Sequence, residues 1–140
     1  MDSIIDLFKS YFARPIIGAP LPFVYLQDLP MKAVGYQTAH PIDHPESLLD
    51  ITLPDPVATG RDLLVEVHAV SVNPVDTKVR KSSSRSGDGP DYKVLGWDAS
   101  GIVRAVGPDV TLFQPGDRVW YGGSIARQGT NRELHLEDER

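Results

Sequence analysis

The chain has 140 residues, one domain's worth, with 41% hydrophobic and 24% charged side chains, values typical of a soluble globular fold with a real core. Fourteen basic against nineteen acidic residues leave a net charge of −5, which argues against a nucleic-acid binder, and the lack of cysteine removes disulfides, thiolate zinc sites and cysteine nucleophiles. No stretch approaches the roughly 20 apolar residues of a membrane span, and no secretory signal pattern opens the chain, so a cytoplasmic protein with no membrane or nucleic-acid partner is expected.

Residues 1–30 read differently from the rest. Ile4, Ile5, Leu7, Phe8, Tyr11 and Phe12 recur at helical spacing, and the pattern runs out at Arg14-Pro15. Pro15, Pro20, Pro22 and Pro30 then make the segment extended. An amphipathic helix that docks on a partner or membrane surface is one reading. An appended segment outside the main fold is the other, and it is favoured because so short a helix is marginal alone.

From Met31 the texture is that of β-structure. Strands are predicted at Met31–Tyr36, Leu48–Leu53, Leu63–Val72, Ser100–Val106, Arg118–Tyr121 and Glu133–Leu136. Clusters such as Pro54-Asp55-Pro56, Gly107-Pro108-Asp109 and Pro115-Gly116-Asp117 supply turns between them. One short helix is predicted over Val75–Arg80. Lys78, Arg80, Lys81 and Arg85 read as a short solvated loop, since no aromatic residue is interleaved to stack bases. The expected fold class is mainly β, a partly open barrel with one or two short helices.

Three blocks hold the candidate chemistry. In the first, the strand ending at Val70 runs into Asn73-Pro74, and Asp76 and Thr77 follow, placed to cap a helix or to meet a ligand. In the second, Gly96 and Gly101 flank Trp97 and Asp98 and permit close backbone approach. Trp97 by itself reads as a core residue. The third, Gly107–Val110 with Phe113–Val119, reads as turn structure. His40, His44, His68 and His135 are scattered and show no ligand spacing, so no metal is expected on them. No Gly-x-Gly-x-x-Gly lies between a strand and a helix, so these residues offer no phosphate cradle of the dinucleotide type.

The order of the blocks, with "GWDASGIVRAVGPDVTLFQPGDRVWYGG" and "RQGTNRELHLEDER", resembles the N-terminal, GroES-like domain of zinc-independent medium-chain dehydrogenase/reductases. The quinone oxidoreductases and their alcohol-dehydrogenase-like relatives are the nearest branch. The resemblance spans residues 31–140 and implies a GroES-like partly open β-barrel. It implies an NADPH-dependent reductase of a quinone or an activated carbonyl or alkene, whose nucleotide is held by a Rossmann domain that these residues lack. The resemblance implies Asn73 near nicotinamide and substrate as the candidate catalytic residue, with Asp76 and Thr77 beside the cofactor and Trp97 in the substrate cleft. Zinc-dependent relatives have Cys at the position of Asn73 and His-Glu at Trp97-Asp98, so no zinc is implied. Relatives often carry Tyr where Lys78 stands, which puts a proton donor there in doubt.

The chain is thus expected to be a truncated domain, inactive and without bound cofactor by itself. The domain face left open is expected to favour self-association. The rival expectation is a non-enzymatic GroES-like interaction module or gene remnant, binding a partner through that face or through residues 1–30.

Overall fold

The computed structural model describes residues 30–82 and 92–140. The predicted helix over Ile4–Phe12 and the Gly87/Gly89 turn lie outside the described residues. Within them are seven strands and one helix. In chain order these are β1 (Pro30–Tyr36), β2 (Leu49–Pro54), β3 (Asp62–Ser71), α1 (Pro74–Ser82), β4 (Lys93–Val94), β5 (Asp98–Val106), β6 (Arg118–Gly122) and β7 (Leu134–Asp138). The six predicted strands all form, and the predicted helix extends by a residue or two at each end.

Two antiparallel sheets result. One has the order β2-β1-β4, the other β6-β5-β3-β7. They are stitched together by residues 131–133: Ala33 bridges Arg132, Val34 N–H donates to the Asn131 carbonyl at 2.9 Å, and Val67 N–H donates to the Glu133 carbonyl at 2.9 Å. The described sheets stay open rather than closing into one barrel, as expected of a partly open GroES-like fold.

The core has two parts. Leu63, Val65 and Val103 are buried between β3 and β5, with Val106, Val119 and Tyr121 against them. Tyr36, Leu95 and Trp97 form the second cluster, which α1 covers with Val75 and Val79. The alternation of β5, buried at Ala99, Gly101 and Val103, is what lets one face of the strand enter the core.

Two glycines fix close approaches. Gly101 lies so near the Glu66 carbonyl that a Cβ has no room between β5 and β3. Gly96 has φ +91° and a Cβ there would sit 2.6 Å from Thr130 Oγ1. Both demands fall in the block whose glycines the sequence marks for close backbone approach.

The basic stretch departs from expectation. Lys78 and Arg80 lie in α1, where the predicted helix places them, and Lys81 extends it, so these three are not in a loop. Arg80 is half-buried: its Nη2 donates to the carbonyls of His40 at 2.7 Å and Ser47 at 3.3 Å. Carbonyls of a neighbouring loop replace water around a guanidinium whose stem lies along the helix.

Candidate active-site groove

The last residues of β3, the first of β5 and the last of β6 lie side by side. Ser71 pairs with Asp98 and Asp98 with Gly122; one step in, Val70 pairs with Ala99 and Ala99 with Tyr121. At this corner of the sheet opens a groove of about 390 Å³ lined by Val70, Ser71, Asp98, Ser100, Trp120 and Gly122 among others. Its walls are mixed. Trp120 is 86% exposed, while Asp98 and the serines supply polar edges.

The chain leaves β3 and enters α1 through Asn73-Pro74. Pro74 occupies the first helical position, where its missing N–H costs nothing. Asp76 is buried and its Oδ2 accepts the Asn73 N–H at 2.7 Å, while the Asp76 N–H returns to the Asn73 carbonyl at 3.0 Å. This is the reaching-back half of a capping box. Thr77 Oγ1 donates to the Pro74 carbonyl at 2.9 Å. Both side chains spend these bonds on the first turn of the helix.

With its backbone fixed by that cap, Asn73 points its side chain across to β5. Its Nδ2 donates to Asp98 Oδ2 at 2.6 Å, a short bond to a carboxylate. Among the described residues the Asn73 Oδ1 accepts no hydrogen bond. Trp97, next along the chain, is 3% exposed and packed with Tyr36 and Leu95. Its indole N–H is buried without a partner among the described residues. The structure therefore brings Asn73 to Asp98 at the groove edge, bonds Asp76 and Thr77 to the first turn of the helix, and buries Trp97 with Tyr36 and Leu95.

Two groove residues, Asp98 and Trp120, carry no site role in the sequence reading. Asp98 becomes visible only once β3 and β5 are paired. Trp120 was legible: in Arg118–Gly122 the alternation sets Trp120 on the outward face and Val119 and Tyr121 inward.

Behind β6 lies a buried polar pair. The Tyr121 hydroxyl meets His135 Nδ1 at 3.0 Å, and His135 Nε2 meets the Gln128 carbonyl at 3.0 Å. A carbonyl only accepts, so Nε2 carries the ring proton and Nδ1 accepts from Tyr121. Burial, with the nearby Arg132 charge, pushes the His135 pKa down to about 4. Burial, with the Glu137 charge, pushes the Tyr121 hydroxyl up. A neutral imidazole beside a neutral phenol is the form this pocket holds.

The histidines are less scattered than their positions in the chain imply. The His40 and His44 rings stack with centroids 4.0 Å apart. With Glu46 they offer three ligand atoms, all within 4.8 Å of one another. Successive turns at residues 41–47 fold the loop back on itself, which linear spacing does not reveal.

An open, two-sheet β-domain with a groove at the β3–β5–β6 corner defines the class. The chain belongs to the alcohol dehydrogenase GroES-like domain family, which it matches over residues 59–137, more than half its length. A zinc-type alcohol dehydrogenase-like protein of Staphylococcus aureus (strain COL) is 41% identical over 109 residues, covering 78% of this chain and 32% of that protein. Among solved structures, a Rhizobium etli CFN 42 protein assigned to the zinc-dependent alcohol dehydrogenases is 62% identical with a TM-score of 0.75, covering 80% of this chain and 32% of that one. The quinone oxidoreductase of Coxiella burnetii is 28% identical with a TM-score of 0.66, covering 79% of this chain and 35% of that one. The chain thus spans about a third of the length of the relatives it matches.

Proposed function

We propose that this chain is the substrate-side domain of an NADPH-dependent oxidoreductase that reduces a quinone or an activated carbonyl or alkene, with no metal at the groove. The observation that carries the reading is the Asn73–Asp98 bond at the groove edge. NADPH, when bound, supplies the hydride. Asp98 accepts a hydrogen bond from one Nδ2–H of Asn73 and so fixes the plane of the carboxamide. The second Nδ2 proton and Oδ1 are left to position a polar ligand atom. The open groove admits water, which serves as the proton source without a side-chain acid.

The zinc-free part of the proposal rests on donor chemistry. At the position in question stand an amide, an indole and a carboxylate. The indole N–H of Trp97 only donates and is packed in the core. The amide is already tied to the carboxylate. Catalytic zinc uses three side chains drawn from imidazole, thiolate and carboxylate, and this set does not fit it.

The test is a chimera in which residues 31–140 replace the matching part of the Rhizobium etli relative. NADPH-dependent reduction of a quinone or enal series by that chimera, unaffected by chelators, supports the reading. Turnover that disappears with chelation, or that survives Asn73→Ala unchanged, removes it. A second reading as an interaction module draws on the exposed Trp120 and Val72; an inactive but well-folded chimera would favour it.

A further inference from the structure

We propose that the loop between β1 and β2 is a surface binding site for a divalent metal ion of the zinc class, held by His40, His44 and Glu46. The site shares no residue with the groove and is independent of the reading above.

The loop sequence is His40-Pro41-Ile42-Asp43-His44-Pro45-Glu46-Ser47. Two successive turns shape it: His44 N–H donates to the Pro41 carbonyl at 3.0 Å, and Ser47 N–H to the His44 carbonyl at 3.0 Å. The buried Ser47 adds a third closure, its hydroxyl donating to the Ile42 carbonyl at 3.0 Å. Both ends of the loop are then tied to one cation, since Arg80 Nη2 on α1 donates to the His40 and Ser47 carbonyls. Two prolines narrow the freedom of the chain between those anchors. The backbone that carries the three side chains is therefore fixed by contacts that none of the three side chains makes.

On that frame the His40 and His44 rings lie nearly parallel, 15° apart and 4.0 Å between centroids. His40 Nε2 is 4.0 Å from Glu46 Oε2. One ligand atom from each of the three side chains falls within 4.8 Å of the others. A tetrahedral ion with nitrogen and oxygen donors at about 2.0–2.1 Å needs its donors roughly 3.4 Å apart. The closure required is on the order of 1 Å; because a ring nitrogen's lone pair lies in the plane of its ring, one imidazole must also rotate out of the stack, and the His40 and Glu46 side chains, 32% and 67% exposed, have room to move.

One hydrogen bond must yield along with the ring stack. His44 Nδ1 accepts the Glu46 N–H at 3.1 Å. Coordination through that nitrogen exchanges an exposed hydrogen bond for a metal bond and leaves the amide to water. The donor set selects the ion. Two imidazoles and one carboxylate, with a fourth position open to solvent, suit zinc and its borderline neighbours. Magnesium and calcium prefer oxygen alone. A bound ion would tie together side chains whose backbone already rests on α1, so it would stiffen the β1–β2 loop against the helix.

The experiment is calorimetric titration of the 140-residue chain with Zn²⁺, alongside histidine ring resonances followed by NMR. Saturable micromolar binding of one ion, with the His40 and His44 ring signals shifting together, is expected. His40→Ala and His44→Ala should each weaken binding by at least about tenfold, a loss that even an outer-shell partner's removal can cause. Arg80 donates to backbone carbonyls rather than to the histidine rings, so both variants should keep their fold, checked by circular dichroism. His68→Ala serves as the control, because His68 is bonded to Glu66 elsewhere on the surface, and should bind as the parent does. Absence of saturable Zn²⁺ binding, equal affinity in all variants, or equal displacement by Mg²⁺ would overturn the proposal.

Discussion

Asn73 and Asp98 stand 25 residues apart in the chain, yet the amide of one donates to the carboxylate of the other at 2.6 Å. The contact joins the helix cap after β3 to the first residue of β5. It is exposed, so it adds little to stability; such bonds contribute about 1 kcal/mol net or less. If the bond instead orients Asn73 toward a ligand, its loss should show in turnover. Asp98→Ala is expected to shift the unfolding free energy by under about 1 kcal/mol. In the chimera the same change should lower kcat/KM by roughly tenfold or more, the equivalent of one lost positioning bond. A large loss of stability with turnover intact would make the pair structural.

His135 gives a stability prediction with a defined sign. Its folded pKa of about 4 lies below the ordinary 6.5. Between those values the unfolded chain binds a proton that the folded chain refuses. Stability is therefore fully present above about pH 6.5 and is lost as pH falls toward 4. The imidazole's contribution to that loss is at most about 3 kcal/mol. His135→Gln keeps a group able to bond Tyr121 and Gln128 but does not titrate. Denaturant unfolding at pH 7 and pH 4.5 should show a smaller acid loss in the variant than in the parent. Equal slopes would mean that His135 does not control the acid limb.

How much of this was legible follows the range of each interaction. The apolar run Leu63–Val70 marks β3 because β propensity is local. Strand β4, only Lys93–Val94, carries no periodicity to find; it exists because Gly35 and Tyr36 of β1 pair with it. Asp76 was readable as a cap from its spacing to Asn73. The partner of the Asn73 side chain was not, because the Ser71–Asp98 register is set by the whole β3–β5 pairing, with two irregularities in it. His40 and His44 look unrelated along the chain until the turns stack them.

The exposed apolar corner makes a testable surface. Val70 is 43% exposed, Val72 76% and Trp120 86%. Val70 and Trp120 line the same groove. Aromatic side chains exposed to this degree tend to find a partner, and a second copy is the available one in a pure solution. Sedimentation velocity should show concentration-dependent dimers, and Trp120→Glu should shift them toward monomer. The chain's other tryptophan, Trp97, is buried, so acrylamide should quench about half of the parent's emission sites and almost none in Trp120→Phe. Dimers that persist in Trp120→Glu would place the contact elsewhere.

The final prediction concerns the cofactor. Dinucleotides are held mainly at the pyrophosphate, by backbone N–H groups of a glycine-rich turn at a helix N-terminus. In the described residues Gly122 ends β6 and Gly123 follows it, but the chain then enters turns and β7 rather than a helix. The one described helix, α1, begins at Asn73-Pro74, where Asp76 already fills the cap with negative charge. On the proposed reading, what remains for NADPH is contact at the nicotinamide end, near Asn73 and Asp98. A few hydrogen bonds at about 0.5–1.5 kcal/mol each barely offset the several kcal/mol needed to immobilise a flexible ligand. A net of about −4 kcal/mol or weaker corresponds to a Kd of about 1 mM or above. Titration of residues 1–140 with NADPH should therefore show no saturation below that range, and no reductase turnover should accompany it. A micromolar Kd would mean that these residues hold a nucleotide site of a different construction from the glycine-rich turn.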